Sequence, residues 1–271
     1  MKFGYEIENF DRYLNPDTLI QTAQQLENSN FHSIWTVDHI MQPIKSQLPL
    51  YNTIAEVITT LAFLAGHTTR IKLGVATLVL PLRNAIVVAK QLATLDYLAK
   101  GRLVISFGAG WVKEEFGFLN QNFYNRGKRF NESLEVVTTL WSGKSSFSGK
   151  YYNFKDASFK PLRKELAELP ILIAGNSDHA IRRALKYGDG WFPSSALSTA
   201  KKKLSKYKKE LEGKKFEIWH WHPIKPREKI EEIVAKCEKS KITGLVFDLT
   251  RGGQIDREQV FQELCDFVKN Y

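Results

Sequence analysis

The predicted fold is decided by one stretch, Ile71–Trp111, which reads IKLGVATLVLPLRNAIVVAKQLATLDYLAKGRLVISFGAGW. It begins with an apolar, β-branched run, Ile71–Thr77, that is typical of a buried strand. Apolar residues then recur at helical spacing over Ala85–Ala99, and Gly101 follows at the position where a helix ends. A second apolar run, Leu103–Phe107, leads into a pair of glycines. Strand, helix and strand in this order predict part of a parallel sheet, with a ligand-binding loop after the second strand.

The same alternation of strand and helix extends through the whole chain. The predicted strands are Lys2–Ile7, Ser33–Val37, Ile71–Thr77, Leu103–Phe107, Pro170–Ala174, Gly190–Phe192, Phe216–His222 and Gly244–Leu249. A polar loop, Met41–Tyr51, separates the second strand from its helix, Asn52–Ala65. Ser142–Lys160 is rich in serine, glycine and aromatic residues, which predicts an excursion, in the form of a hairpin, after the fourth unit.

Eight strand–helix units in 271 residues predict an α/β fold, a (β/α)₈ TIM barrel that forms a single domain over residues 1–271. An open, doubly wound sheet is the alternative. Such a sheet carries a glycine fingerprint after its first strand. This chain has Glu8-Asn9-Phe10 there instead, which favours the barrel.

Composition narrows the classes of protein that fit. Hydrophobic residues make up 43% of the chain, enough for a sizeable core. No apolar run approaches the ~20 residues of a membrane span, and the N-terminus lacks the apolar core of a signal peptide. We therefore expect no membrane association and a cytoplasmic location. The two cysteines, Cys237 and Cys265, lack metal-ligand spacing and are expected to be reduced thiols.

The formal net charge is +10, and much of it lies in one segment. Lys201–Lys215 holds eight lysines and two glutamates. A solvated helix face is the simplest interpretation, and attraction of an anionic ligand is an alternative. A nucleic-acid site would use arginine and exposed aromatic residues more freely, so no nucleic-acid partner is predicted.

A barrel brings the residues that follow its strands together in one mouth, where active sites lie. Asp38 and His39 follow the second strand, and the histidine is a candidate acid, base or hydrogen-bond donor. A structural hydrogen-bonding role for this pair is the alternative. Gly175-Asn176-Ser177 precedes a helix, whose free backbone N–H groups bind anions, although either polar residue could simply cap that helix. Gly108 and Gly110 mark the fourth strand end.

The seventh predicted strand alternates two histidines with two tryptophans. His220 and His222 point to one side of the strand, and Trp219 and Trp221 point to the other. The histidines line the substrate side if they face the barrel interior; otherwise they have a packing or surface role. The other histidines lack the short-spaced partners of a zinc site, so no metal site is predicted.

Segments between Phe3 and Pro193 together resemble the luciferase-like monooxygenase superfamily of flavin- and coenzyme F420-dependent enzymes. The matching segments, in family order, are Ser33–His39, Pro81–Asn84, Ala89–Asp96, Gly101–Leu103, Gly108–Trp111, Glu114–Phe116, Arg126–Arg129, Ala174–Ser177 and Gly188–Trp191. Each segment alone is a weak signal, but the combination is specific. The resemblance implies a barrel that holds a flavin or deazaflavin in its mouth.

Within that resemblance, the ring rests on a bulge after the third strand, with a non-prolyl cis peptide expected at Thr77–Leu78. The cofactor phosphate is expected near Gly175–Ser177, and Asp38 and His39 are expected near the ring and the substrate. The cofactor-binding residues assigned in this way are Asp38, Thr77, Leu78, Gly108, Gly110, Gly175, Asn176, Ser177 and Trp191. The residues expected to bind the substrate are Trp111, Glu115, His220 and His222.

The likeness is closest to the F420-linked branch of the superfamily. The predicted reaction is therefore hydride transfer between coenzyme F420 and a small organic substrate, with His39 as the catalytic acid/base and Asp38 binding the polar edge of the ring. The alternative is an FMN-dependent monooxygenase that uses reduced flavin and oxygen. Trp111 stands where the sugar-phosphate dehydrogenases of this branch carry a glutamate, which argues against glucose 6-phosphate. By analogy with the family, we expect a homodimer.

Overall fold

The computed structural model describes residues 1–11, 14–44 and 53–271. Its strands are β1 (Lys2–Glu6), β2 (Ser33–Thr36), β3 (Lys72–Val79), β4 (Leu103–Gly108), β5 (Phe147–Ser148), β6 (Asn153–Phe154), β7 (Ile171–Ala174), β8 (Gly190–Phe192), β9 (Glu217–Pro223) and β10 (Gly244–Asp248). Its helices are α1 (Pro16–Asn28), α2 (Val57–His67), α3 (Ala85–Leu98), α4 (Lys113–Phe118), α5 (Arg126–Trp141), α6 (Asp178–Tyr187), α7 (Leu197–Lys206), α8 (Lys208–Leu211), α9 (Ile230–Glu238) and α10 (Arg257–Asn270). In these ranges, every helix is too short or too polar to cross a membrane.

Eight strands close into one barrel in the order β1-β10-β9-β8-β7-β4-β3-β2. All neighbouring strands of the barrel are parallel. The remaining two strands, β5 and β6, form a small antiparallel hairpin after α5. The predicted (β/α)₈ TIM barrel and its excursion after the fourth unit are therefore confirmed.

Element boundaries depart from the sequence expectations by one or two residues at several strands, and by more at two helices. Residues 45–51 of the predicted polar loop and residue 52 lie outside the described residues, and α2 begins at Val57 with Glu56 as its N-cap. The segment after β8, Ser198–Leu211, which the alternation of strands and helices predicts as one helix, is divided at Tyr207 into α7 and α8.

Large aromatic side chains fill the barrel interior. Trp35 of β2 and Trp219 of β9 are fully buried and pack edge to face, with ring centroids 4.9 Å apart. Gly4 in β1 and Gly244 in β10 provide the space, because a Cβ atom at either position would overlap an indole ring. These rings close the barrel below the carboxyl ends of its strands, so that a ligand is confined to the mouth.

Candidate active site

A cavity of about 820 Å³ opens at the carboxyl ends of the barrel strands. The predicted site residues that line it are Asp38, His39, Thr77, Gly108, Gly110, Trp111, Gly175, Asn176 and Ser177. The predicted residues Leu78, Glu115, Trp191, His220 and His222 lie outside its lining. The lining residues that were not predicted include six with charged or large polar side chains: Glu6, Arg126, His179, Arg183, Trp221 and Arg251.

The strand β3 bulges where it meets the cavity. The pairing register of β3 with β4 shifts between Val75 and Leu78, and the cis peptide bond is Ala76–Thr77. The expected position, Thr77–Leu78, is therefore wrong by one residue. The bulge turns Leu78 into the hydrophobic core, where it is fully buried, and this explains why it does not line the cavity.

Contacts with β4 hold Thr77 against the cavity. Its Oγ1 donates a hydrogen bond to the carbonyl oxygen of Ser106 at 2.7 Å. Its methyl group occupies the space above Gly108, where a Cβ atom would lie 2.7 Å from the Thr77 Cγ2 atom. The bulge and Gly108 together form a smooth surface on the cavity wall.

Asp38 is bound within the protein by a bidentate ion pair. Its Oδ1 and Oδ2 atoms each accept a hydrogen bond from Arg83 at 2.7 Å, and Oδ2 also accepts one from the Val79 N–H at 2.8 Å. Burial opposes the charge of Arg83, but the Asp38 carboxylate raises the pKa of this guanidinium. Because the Asp38 side chain is fully buried, the alternative structural role fits this geometry.

His39 is oriented by Glu115, which was predicted to bind substrate. The Oε2 atom of Glu115 lies 3.1 Å from the Nδ1 atom of His39, while Oε1 accepts from the Ile40 N–H at 2.6 Å and from the Met41 N–H at 3.3 Å. An ionised carboxylate only accepts hydrogen bonds, so Nδ1 carries a proton in this contact. Nε2 is then the acceptor of the neutral ring, which is the arrangement that an acid/base histidine requires.

Two polar residues of the loop after β7 are used within the protein. Ser177 caps α6, and its Oγ atom accepts from the Ala180 N–H at 3.2 Å. Asn176 exchanges two hydrogen bonds with Ser194, at 3.1 and 3.0 Å. The capping interpretation of Ser177 is confirmed. What this loop offers a ligand is the backbone at the N-terminus of α6.

Trp191 supports this loop from behind. Its Nε1 atom donates to the Gly175 carbonyl oxygen at 2.9 Å, and its side chain is fully buried. Gly175 adopts a φ angle of +125°, which glycine tolerates and other residues rarely do. Trp191 therefore fixes the loop without reaching the cavity.

Two arginines give this end of the cavity a positive charge. Arg126, at the start of α5, donates to the Gly110 carbonyl oxygen at 3.0 Å, and Arg183 of α6 donates to Asn131 Oδ1 at 2.8 Å. Among the described residues, neither guanidinium has a carboxylate partner. Burial and the charge of Arg126 both lower the pKa of Arg183. Such an uncompensated pair is an electrostatic site for an anion.

The single acidic residue in the first turn of α6 is compensated. Asp178 forms ion pairs with Lys203 and Lys206 of α7, and hydrogen bonds from these two lysines lower its pKa. Two lysines of the basic segment thus serve α6. The positive end of the helix therefore retains its attraction for an anion.

On β9 the tryptophans face the barrel interior and the histidines face outward, so the histidines do not line the substrate side. Trp219 and Trp221 pack in the barrel interior, and Trp221 lines the cavity. His220 is buried on the outer side of the strand, and the Nε2 atom of His222 lies 3.0 Å from Glu228 Oε2. The larger apolar rings occupy the interior, which places the histidines in the packing or surface role left open by the sequence.

Position along the strands could have identified some of the missed residues. Glu6 is the last residue of β1 and so satisfies the rule that strand ends meet at the mouth; Arg251 follows the eighth predicted strand and was expected at the mouth, but no role in the site was assigned to it. Arg126 and Arg183 lie on helices, and only the folded structure brings them to the cavity. In the part of the chain that the structure describes, no three acidic, histidine or cysteine side chains form a metal-binding group.

Comparisons with known proteins agree with this geometry. A 199-residue segment, 72% of the chain, is 29% identical to an F420-dependent glucose-6-phosphate dehydrogenase of Kineococcus radiotolerans and covers 57% of it. A 151-residue segment, 54% of the chain, is 36% identical to a pyrimidine monooxygenase of Bradyrhizobium sp. and covers 41% of it. The chain thus spans less than two thirds of the length of either relative.

A solved structure matches the fold over almost its whole length. The coenzyme F420-dependent tetrahydromethanopterin reductase of Methanopyrus kandleri superposes with a TM-score of 0.76 at 16% identity, covering 99% of this chain and 97% of that one. The family model described as luciferase-like monooxygenase matches residues 2–254. The chain therefore belongs to the luciferase-like monooxygenase family.

Proposed function

We propose that the protein is an oxidoreductase that binds coenzyme F420 in this cavity and transfers a hydride between the cofactor and a small organic substrate. The observation that carries this proposal is the pairing of two features in one cavity. The smooth wall formed by the β3 bulge and Gly108 accepts a flat ring. The cationic end formed by Arg126, Arg183 and the N-terminus of α6 accepts a phosphate.

The residues present fit such a cofactor. Gly108, Gly110 and Gly175 place backbone on the cavity wall, where a ligand can approach it. The two guanidiniums have donor groups that match the oxygen atoms of a phosphate, and their mutual repulsion is relieved when an anion binds. When bound, the deazaflavin ring would supply the site that donates or accepts the hydride.

His39 is the proposed acid/base residue. Its ring lies on the cavity wall, and Glu115 fixes both its orientation and its tautomer. The Trp111 ring stands perpendicular to it, with the centroids 6.5 Å apart, and forms the outer wall. His39 can hold or release a proton at Nε2 while the hydride is transferred to or from the substrate carbon next to the group that exchanges this proton.

For Asp38 we propose a positioning role in place of contact with the polar edge of the ring. Its contacts with Arg83 and with the N–H of Val79 tie the end of β2 to the end of β3. The bulge that carries Thr77 is thereby held at a fixed height in the mouth.

The alternative function is an FMN-dependent monooxygenase. It is favoured by the 36% identity to a pyrimidine monooxygenase over 54% of the chain. F420 is favoured by the longer match to an F420-dependent relative, over 72% of the chain. The formal charge of +10 is also compatible with the polyanionic tail of F420.

Fluorescence titration with F420 and with FMN tests the proposal. We expect micromolar binding of F420, and Arg183→Met should weaken it about 10–100-fold, because each charged hydrogen bond to a phosphate contributes about 1.5–3 kcal/mol. Arg182→Met is the matched control, since Arg182 is exposed on the same helix and does not line the cavity.

Micromolar binding of FMN without binding of F420 would overturn the choice of cofactor. Equal effects of the Arg182 and Arg183 substitutions would overturn the proposed phosphate site.

A further inference from the structure

The last residue of β1 places a buried carboxylate on the cavity wall. Glu6 is 2% exposed, and it lines the cavity. Its Oε1 atom accepts a hydrogen bond from Arg251 Nη2 at 2.6 Å. Its Oε2 atom accepts one from Arg251 Nη1 at 3.1 Å and another from Trp221 Nε1 at 2.8 Å. Donors from two further strand ends thus hold the carboxylate in one orientation.

Among the residues that the structure describes, the charges in contact with Glu6 do not balance. Arg251 also donates to Asp248 Oδ2 at 3.0 Å, so one guanidinium serves two carboxylates. Asp248 is fully buried, and its Oδ1 atom accepts hydrogen bonds from the backbone N–H and the hydroxyl group of Thr250. The cluster of Glu6, Arg251 and Asp248 therefore has one net negative charge when both carboxylates are ionised.

This cluster lies on the side of the barrel away from the proposed cofactor site. In the closed order of strands, β1, β10 and β9 are neighbours, whereas the ring and phosphate sites lie on β3, β4 and β7. A second molecule in the mouth would therefore contact the wall of Glu6, Trp221 and Arg251. This wall combines one anionic group with the apolar ring of Trp221, over which the Arg251 guanidinium lies at 4.6 Å.

We propose that Glu6, held by Arg251 and Trp221, is a substrate subsite that binds the hydroxyl or ammonium group of a small organic molecule and rejects phosphates and carboxylates. This subsite rests on the proposed function in one respect only, which is that the second molecule in the mouth is the substrate. A carboxylate offers about four lone-pair positions, and three are occupied here, so one hydroxyl or ammonium donor can still be accepted.

Among the described residues, an anion at this wall would meet the Glu6 carboxylate and the Arg251 guanidinium, with the buried Asp248 carboxylate behind them. The Glu6 carboxylate repels such an anion strongly, because the site is partly shielded from water and charges interact more strongly in such surroundings. The carbon skeleton of the ligand would pack on Trp221. The subsite therefore selects by the charge of the head group.

Titration of Glu6 supports this assignment. The pKa of Glu6 is raised from 4.5 to about 7, chiefly by burial; Arg251 opposes the rise, whereas Asp248 and Glu8 contribute to it. Glu8 itself is paired with Arg257. The Glu6 carboxylate is thus mostly neutral at pH 6 and mostly charged at pH 8, so the affinity for an ammonium group should rise across this interval.

Three probes that share one ring test the subsite: cyclohexylamine, cyclohexanol and cyclohexanecarboxylate. Their binding to the cofactor-free protein is measured by calorimetry at pH 8. We expect the amine, which is then an ammonium ion, to bind at least ~10-fold more tightly than the carboxylate, and the alcohol to bind between them. Glu6→Gln should remove this preference. Glu232→Gln, which removes a charge from the exposed helix α9, should keep it.

The pH dependence in the wild-type protein is a second readout that does not depend on a variant. The affinity for cyclohexylamine should rise between pH 6 and pH 8, while the charge of the probe stays constant. Tighter binding of the carboxylate, no binding of the amine, or an unchanged preference in Glu6→Gln overturns the subsite. Loss of F420 binding with this preference intact would instead overturn the proposed cofactor and leave the subsite standing.

Discussion

Replacing Asp38 by asparagine should lower the free energy of unfolding by about 3 kcal/mol, because it removes the buried counter-charge of Arg83 and leaves the partly exposed Glu56 carboxylate, 3.2 Å away, as the ion-pair partner of this guanidinium. The magnitude follows from the geometry. The Asp38 side chain is fully buried and that of Arg83 is 11% exposed, and two hydrogen bonds of 2.7 Å join them. Breaking such a pair costs about 3–5 kcal/mol, and asparagine retains one acceptor, which favours the lower end of that range.

Urea denaturation followed by circular dichroism measures this change, provided that the m-value stays constant. The double variant Asp38→Asn with Arg83→Met should be more stable than the sum of the two single changes, since neither buried charge is then left alone. Glu232→Gln removes a carboxylate from an exposed pair with Lys236 and should cost at most about 0.5 kcal/mol. A loss below 1 kcal/mol for Asp38→Asn, or strict additivity in the cycle, would refute the positioning role.

Three further predictions concern other parts of the molecule. Gly108→Ala places a Cβ atom 2.7 Å from the Thr77 methyl group, so it should destabilise the protein by about 1–3 kcal/mol and weaken F420 binding. Gly117→Ala, whose Cβ atom would have no neighbour within 4 Å, should do neither. Equal denaturation midpoints of the two variants would contradict this prediction. Burial, assisted by His222, lowers the pKa of His220 from 6.5 to about 4. The unfolded chain therefore binds a proton that the folded chain rejects, and the free energy of unfolding should fall as the pH drops from 6.5 to 4. His220→Gln should reduce this fall by about 3 kcal/mol, and an unchanged pH profile of the unfolding free energy would refute the prediction. The expected homodimer should form through exposed apolar residues on α2 and α3, which are Phe63, Val87, Tyr97 and Leu98. Analytical ultracentrifugation should then show a dimer that Leu98→Glu dissociates. A monomeric wild-type protein would exclude this contact.

The barrel could be predicted from the sequence because its signals are local. Each strand is a short apolar run, and each following helix repeats its apolar residues at a different period, as in Ile71–Thr77 and Ala85–Ala99. The starts of α3 and α6 were also readable, since Asn84 caps α3 and Ser177 caps α6 with their side chains. These features depend on neighbours within a few residues.

The site was only partly predictable, because it depends on which side chains face inward and on distant partners. The period of β9 separates histidines from tryptophans, but it does not say which pair faces the interior. The bulge in β3 moved the cis bond to Ala76–Thr77 and turned Leu78 away from the mouth. Such a change of register depends on pairing with β4, which lies far along the chain.

The partners of the charged residues were equally hidden. Asp38 is separated from Arg83 by 45 positions, and Glu6 is separated from Arg251 by 245. No periodicity reports such a pair, and only the closure of β1 against β10 brings the second one together. The sequence could therefore name Asp38 as a mouth residue without revealing that both of its oxygens are occupied.

A crystal structure of the F420 complex tests the central claim most directly. The account predicts that the deazaflavin ring lies against Thr77 and Gly108, with the phosphate bound by Arg126, Arg183 and the N-terminus of α6. It also predicts that the face of the ring turned toward Glu6 and His39 stays open for a substrate. A ring bound against Glu6, or a phosphate bound away from both arginines, would contradict it.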